Sequence, residues 1–312
     1  MIAITGYNGF VGKQLLKLLP VEKCLLVGRV EPQTNYRFCQ LDLSSNKYLD
    51  LISSLNEVDT IVHIAARVHV MNEKSSDPIA EFRAVNTQGT LNLARQAVKS
   101  GVRRFIFISS IKVNGESTTN KSPFTESDNP APEDPYGISK AEAEQQLLEL
   151  AKQTGMEVVI IRSPLVYGEA VKANFASLMR FVGKGLPLPF RLIKNNKRSL
   201  VSVYNLVDLI KVCIKHPKAA NQVFLASDDH DLSTAEIVAL MAQVQNKKNF
   251  ALPVPVWCFK LAGKMLNKAD VIDRLTGSLQ LDITHTKNTL NWKPPYSVGH
   301  GFKLAAKKPS TK

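Results

Sequence analysis

A tyrosine and a lysine four residues apart, Tyr136 and Lys140, follow a proline-rich stretch and open a run of helical character, Tyr136-Gly137-Ile138-Ser139-Lys140-Ala141-Glu142. At that spacing the two side chains are neighbours on one helix face. A phenol with a pKa near 10 is a poor base at neutral pH, and bringing it to about 7 takes roughly 4 kcal/mol. An ammonium ion about 4 Å away supplies about that much at an effective dielectric of 20. The pair reads as a tyrosine acid/base tuned by Lys140, with a serine hydroxyl needed to hold the substrate oxygen. Ser109 and Ser110, at the end of an apolar run, offer that hydroxyl. Standing alone, the pair would suit an ordinary exposed helix start better.

A second group able to do chemistry lies at the start of the chain. Met1 to Ile4 is apolar and β-prone, and it runs through Gly6-Tyr7-Asn8-Gly9-Phe10-Val11-Gly12 into Lys13 to Leu19, which reads as a helix. In such a strand-turn-helix the first glycine permits the tight turn and the second lets the backbone approach a pyrophosphate. The third lets the helix pack on its strand, and the helix N-terminus offers free N–H groups to the anion. The run predicts a dinucleotide site. After the next apolar strand, Cys24 to Val27, Arg29 stands where a carboxylate would bind the ribose 2′-hydroxyl of NAD. An arginine there suits the 2′-phosphate of NADP, so the expectation favours NADP(H), with NAD(H) possible. Asp42, in Leu41-Asp42-Leu43 closing a third strand, could accept from an adenine amino group.

Positioning these groups calls for a parallel sheet. Apolar strands at Thr60 to Ala66, Arg104 to Ser110 and Val158 to Arg162 alternate with helical patterns at 78–100 and 136–153. That alternation predicts an α/β, Rossmann-type doubly wound sheet of about seven strands, with ligands beyond the strands' carboxyl ends. His63, inside one strand, reads as a histidine satisfied within the sheet. Residues 114–135, polar and rich in proline, read as a surface excursion.

With 312 residues, 44% hydrophobic and 21% charged, the chain can build a substantial core. No apolar run approaches the roughly 18 residues that span a bilayer, and a core strand at the start leaves no room for a signal peptide, so a cytoplasmic location is expected. Cys24, Cys39, Cys213 and Cys258 are scattered and read as buried thiols, and no metal ligand set is apparent. The net charge of +13 has two readings: a nucleic acid or anionic membrane surface, or a pocket for acidic small molecules among solvating lysines. No aromatic residues interleave with the short lysine clusters, so no nucleic-acid partner is expected.

In order along the chain stand Thr5 to Gly12, Asp42-Leu43, Val62-His63-Ile64-Ala65-Ala66, Val85-Asn86-Thr87-Gln88-Gly89-Thr90, Ile108-Ser109-Ser110, Tyr136 to Lys140, and Arg162-Ser163-Pro164-Leu165-Val166-Tyr167-Gly168. This series resembles the extended short-chain dehydrogenase/reductase family, in its UDP-glucose 4-epimerase-like nucleotide-sugar branch. The resemblance implies Ser110, Tyr136 and Lys140 as the catalytic set. It implies Ala65, Ala66 and Pro164 as residues lining the cofactor, and its motifs add Leu43, Asn86 and Ser109 to the cofactor-site candidates. For a UDP-sugar partner it implies Asn174 near the phosphates, Leu188 in the segment flanking uracil, and Arg198 and Arg274 as guanidinium forks for the pyrophosphate. It departs from the family at Asn114, where many members have tyrosine, and Lys112 would lie near the sugar.

The implied organisation is a cofactor domain of residues 1–168 with returning pieces at about 200–230, a UDP-sugar lobe of 169–200 and 231–302, and a mobile tail from 303. A homodimer is possible. Because a net reductase gains from NADPH and an epimerase does not, the expected activity is reduction of a UDP-4-keto-6-deoxy-N-acetylhexosamine at C4, in surface-polysaccharide synthesis. The alternative is a UDP-glucose or UDP-N-acetylglucosamine 4-epimerase on the same residues. A non-catalytic NADP-sensing or nucleic-acid-binding relative is the remote third.

Overall fold

A computed structural model describes residues 1–45, 51–68, 77–171 and 173–307. The first strand, β1 (Ile2–Thr5), leads through the glycine turn into α1 (Phe10–Leu16), and β2 (Cys24–Gly28) and β3 (Arg37–Gln40) follow. A short α2 (Ile52–Leu55) precedes β4 (Thr60–His63). The expected helix at 78–100 is three pieces: α3 (Pro78–Phe82), π-helical turns over Arg83–Gly89, and α4 (Thr90–Lys99). Then come β5 (Arg104–Ser110), the long α5 (Pro135–Thr154) and β6 (Glu157–Ser163). Buried Pro164 separates β6 from β7 (Leu165–Tyr167), which leads towards α6 (Ala173–Gly183). The second half adds β8 (Leu200–Ser202), α7 (Val203–Lys215), β9 (Gln222–Leu225), α8 (Thr234–Val244), α9 (Val256–Met265), α10 (Ala269–Thr276), α11 (Thr284–Leu290) and α12 (Val298–Ala305).

Seven strands form one sheet in the order β3-β2-β1-β4-β5-β6-β9, every neighbouring pair parallel. The alternation along each strand explains the two layers of helices. Ile4, Val62, Ile106 and Ile161 point to a core shared with Leu15 of α1, Leu206 and Ile210 of α7, and Leu290 of α11. Ala3, Ile61, Phe105 and Ile160 point the other way, onto Leu55 of α2, Leu91 and Ala94 of α4, and Ala143 and Leu147 of α5. This is the doubly wound Rossmann-type fold expected from the strand and helix alternation. A third apolar cluster, around Tyr167, Phe175, Met241 and Phe302, packs α6, α8 and α12 around the small β7–β8 sheet. Asp228 fastens that sheet to α7: its carboxylate accepts from Tyr167 Oη at 2.6 Å, Ser202 N at 2.8 Å and Asn205 Nδ2 at 2.7 Å.

Several expectations differ in detail. The first helix begins at Phe10, inside the glycine run, and ends at Leu16 instead of Leu19. Leu41 N still donates to Gly28 O, but the Asp42 carboxylate then takes the Ser44 N–H and hydroxyl, which turns the chain and leaves 41–43 just past β3. The 114–135 excursion is pinned on one side: Thr118 N donates to Ser278 O and Phe124 N to Gln280 O. Cys24 and Cys213 are buried, whereas Cys39 and Cys258 are only partly so. Helix α12 runs through Ala305, so residues 303–305 of the expected tail are helical, and 308–312 lie outside the described residues.

The glycine turn shows why its residues are glycines. Gly6 has φ +68°, and a Cβ there would lie 2.7 Å from Ala65 N. A Cβ on Gly12 would lie 2.3 Å from Gly6 O and 2.6 Å from Tyr7 Cα, all backbone that cannot rotate away. Gly12→Ala is expected to force α1 off β1 and to lower stability by about 1–3 kcal/mol, read from the urea unfolding midpoint.

Candidate active site

Gly6, Tyr7, Asn8 and Gly9 sit at the carboxyl end of β1, at the centre of the sheet, with Asn8 and Gly9 exposed there. The turn is braced from both sides. Thr5 Oγ1 accepts from the Ile64 and Ala65 N–H groups at 3.1 Å each, tying β1 to the small residues that end β4. With both lone pairs taken, the Thr5 hydroxyl must donate to Nδ1 of His63, 2.8 Å away. Nε2 of His63 therefore carries the proton and donates to Thr90 Oγ1 at 3.0 Å. Burial, with Lys140 adding to it, pushes His63 down to about 3. It is a neutral strut inside the sheet, as expected from its place in the strand.

Tyr7 is buried, and its hydroxyl donates to Val30 O, which fixes the turn carrying Arg29 at the end of β2. Arg29 is exposed and within electrostatic reach of Asp42, whose carboxyl is held below its ordinary range by the Ser44 hydrogen bonds first and by Arg29 last. Phe10 packs towards Gly168 and Val203, and Val11 is partly buried against the sheet. Leu43 packs its backbone on Gly89, where a Cβ would lie 2.4 Å from Leu43 O. Ala65, Ala66 and Pro164 stand at the ends of β4 and β6. The turn fits a dinucleotide pyrophosphate: the only atom near a Cβ built on Gly9 is Gly6 O at 3.1 Å, so that backbone faces open space before the start of α1.

Ser110 ends β5, and its Oγ accepts from Lys112 N at 3.3 Å. Tyr136 lies in the first turn of α5, half-buried, its ring edge-on to Phe82 at 6.1 Å between centroids. That turn is set by Asp134 as N-cap, accepting from Gly137 N at 2.7 Å, with Pro135 in the first helical position. Gly137 allows the close approach: a Cβ there would lie 2.9 Å from Lys112 O, in the segment just after Ser110. Lys140, one turn on, is buried, with Nζ 3.9 Å from the centre of the Phe107 ring.

The electrostatics differ from the expectation of a lysine-lowered tyrosine. Burial, with the Asp134 carboxylate, pushes Tyr136 up to about 12. Lys140 is brought down to about 7 by burial, against the pull of Glu144. It rests on Phe107, and the Tyr136 shift follows from burial and Asp134, not from the lysine.

Beneath these groups lies a buried polar network that sequence reasoning missed. Arg162 of β6 donates from Nε to both oxygens of Glu144 at 3.1 Å and from Nη2 to Oε2 at 2.6 Å. Its Nη1 donates to Asn114 Oδ1 at 2.9 Å, and Asn114 Nδ2 donates to Thr125 O. Ser109 Oγ donates to Glu144 Oε1, so that hydroxyl is engaged within the network. The signal available was the spacing of Glu144 four residues after Lys140, on the same helix face. Asn86 is likewise occupied: it accepts from Arg67 N and donates to Arg67 O and Ser139 Oγ, clamping the loop after β4 to α5.

The substrate candidates are brought together only in part. Lys112 does not present a free cation: Nζ meets Glu116 at 2.7 Å and Asp134 at 2.5 Å, making it a strut to the N-cap of α5. Arg198 is half-buried, donating weakly to Gly277 O at 3.5 Å. Burial lowers its pKa first, Glu116 opposes, and Arg274 lowers it further, which places these three charges in mutual reach. Arg274 is exposed on α10. Leu188 pairs with Ala251, lining a small cleft with Val182 and Phe250, and Asn174 is exposed at the start of α6.

A doubly wound sheet with a glycine turn at its central strand, and a serine, tyrosine and lysine at neighbouring strand and helix ends, defines an enzyme of the nicotinamide-dinucleotide class. Residues 2–226 match the model of the NAD dependent epimerase/dehydratase family, and the chain belongs to that family. It is 56% identical to the UDP-glucose 4-epimerase of Vibrio cholerae over 310 residues, 98% of this chain and 94% of that protein. Among solved structures it resembles UDP-glucose 4-epimerase of Thermotoga maritima, determined with UDP-glucose, at 24% identity and TM-score 0.77, covering 98% of this chain and 97% of that one. It also resembles UDP-glucuronic acid 4-epimerase of Bacillus cereus in complex with NAD, at 18% identity and TM-score 0.77, with the same coverage. Those two likenesses are of fold. The 56% identity to a 4-epimerase overturns the expected reductase of a 4-keto sugar. The serine, tyrosine and lysine serve both reactions, so the choice had rested on reading Arg29 as an NADPH ligand.

Two outcomes test the site. Arg162→Met leaves Glu144 charged and 3% exposed without its partner, and a loss of about 3–5 kcal/mol in chemical unfolding is expected. Lys140 titrates at about 7 in the fold and at about 10.5 when exposed. Between those values the unfolded chain holds a proton that the native chain has lost, so this residue's contribution to stability rises with pH. Lys140→Met is expected to abolish activity yet raise the thermal midpoint at pH ~6.5, the gain shrinking towards pH ~10.

Proposed function

We propose that the chain is a 4-epimerase of a UDP-hexose, interconverting the UDP-glucose and UDP-galactose configurations at C4. The observation that carries this reading is the 56% identity, over nearly the whole length of both chains, to the Vibrio cholerae UDP-glucose 4-epimerase.

The cofactor in this reading is NAD(H), held by the Gly6 to Gly12 turn. Bound there, it supplies a reversible hydride acceptor at the substrate carbon. The family description and the NAD complex of the Bacillus cereus relative support NAD. So does the position of Arg29, whose charge is already partly offset by Asp42. Tyr136, once deprotonated, takes the proton of the C4 hydroxyl as that carbon is oxidised and returns it when the carbonyl is reduced on its other face; for the first of these steps the buried phenol would have to be brought down by the positive charge of NAD+ bound beside it. Ser110 holds the same oxygen from the end of β5. Lys140, one helical turn further along α5, binds on the cofactor side. Segments 169–200 and 231–302 form the sugar-nucleotide lobe, in which Arg198 and Arg274 face the pyrophosphate. Asn174 and Leu188 are the further candidates there, for the phosphates and the uracil. Because oxidation and reduction cancel, no cofactor is consumed.

The test is incubation of the purified chain and catalytic NAD with UDP-galactose, product being followed by proton NMR. UDP-glucose is expected without net change in nicotinamide absorbance, and Tyr136→Phe is expected to lower kcat by about 10²–10⁴. Absence of C4 inversion with both UDP-galactose and UDP-N-acetylglucosamine would sink the reading.

A further inference from the structure

The candidate site leaves most of the net charge of +13 unexplained. Residues 237–269 contain five lysines, Lys247, Lys248, Lys260, Lys264 and Lys268, and no aspartate or glutamate. Exposed apolar surface gathers in the same place. Of seventeen large apolar side chains exposed among the described residues, seven lie within residues 250–271. Single exposed leucines are ordinary, but a contiguous set is not.

Helix α9 shows how the set is arranged. Its inner face is fixed by Phe259, stacked on Phe190 with centroids 6.1 Å apart, and by Gly263, where a Cβ would lie 2.6 Å from Ile272 of α10. The opposite face carries Trp257, Leu261 and Met265, spaced four apart and 66%, 53% and 79% exposed. Lys260 and Lys264 are exposed beside this stripe, and Lys268 follows the end of the helix. Along the chain the nearest acids are Asp270 and Asp273, on the next helix. An apolar stripe with a tryptophan, bordered by lysines and free of acids, has the chemistry of a helix lying in a bilayer interface. A protein face complementary to it would have to be both apolar and strongly acidic, whereas anionic phospholipid presents both properties together. Among the described residues no helix is long and apolar enough to cross a membrane, so the contact is peripheral.

We propose that α9 docks the protein on an anionic phospholipid bilayer. Trp257, Leu261 and Met265 enter the boundary between headgroups and acyl chains, and Lys260, Lys264 and Lys268 meet the headgroup phosphates. The inference is independent of which sugar the enzyme turns over.

The full chain is mixed with vesicles of phosphatidylglycerol and phosphatidylcholine, or of phosphatidylcholine alone, and sedimented, while tryptophan emission is recorded. The protein has two tryptophans; Trp292 is 4% exposed, its Nε1 donating to Asp208 at 2.8 Å, so a change of emission reports Trp257. Co-sedimentation with the anionic vesicles only, a shift of emission to shorter wavelength, and release by salt are expected. Lys260→Glu with Lys264→Glu should lower partitioning at least about tenfold. Trp257→Ser with Leu261→Ser should abolish it, with far-ultraviolet circular dichroism and turnover of soluble substrate unchanged. Failure to bind anionic vesicles at low ionic strength, or binding unaffected by both double variants, overturns the proposal. So does a dimer that Trp257→Ser dissociates in a protein that ignores vesicles, which would assign the face to a second copy of the chain.

Discussion

The arrangement of the site depends on one buried ion pair, Arg162 with Glu144. Arg162 is fixed at the end of β6, and Glu144 lies on α5 one turn after Lys140. Three hydrogen bonds join them, while Ser109 and Asn114 take remaining valences. The helix carrying Tyr136 and Lys140 is thereby locked against the strand carrying Ser110. A pair so dry gains little in net stability over apolar residues of the same volume. Its directional bonds, however, permit one register of helix on sheet, which apolar packing alone would leave looser.

The same pair governs the charge of the lysine. Glu144 pulls the Lys140 proton on, but its carboxylate is already shared by Arg162 and Ser109, and burial prevails. Lys140 is left poised near neutrality over the Phe107 ring. Tyr136, buried and next to Asp134, is pushed upward. Asp134 must stay where it is, because it caps α5 and anchors Lys112. The carboxylate that caps the helix start thus adds to what burial already does to the tyrosine's proton affinity.

Much of the fold was legible because it follows from local pattern. Apolar strands alternating with helices dictate a parallel sheet, and Gly6 and Gly12 are demanded by backbone contacts that no side chain can share. The positions of Ser110, Tyr136 and Lys140 were legible for the same reason: a strand end, a helix start and a spacing of four. What sequence could not show were partners distant along the chain. Lys112 looked available until Asp134, 22 residues on, claimed it. Asn86 and Ser109 looked like ligand groups, but their polar atoms are satisfied by Arg67, Ser139 and Glu144. The π-helical turns at Arg83–Gly89 lie inside the run read as one helix over 78–100, and its apolar spacing did not separate the three pieces.

The choice between epimerase and reductase escaped the residues for a deeper reason. Both reactions move one hydride and one proton at the same carbon, so they require the same acid/base, the same serine and the same lysine. They differ in whether the cofactor leaves between turnovers and whether the keto sugar can turn over in its pocket. Both are properties of binding strength and room, distributed over many residues. A single exposed arginine cannot encode them. Arg29 is the smallest of the influences on Asp42, and its sign alone carries no information about cofactor retention. Whole-length similarity bears on the choice where one residue cannot, because it integrates many weak contacts at once.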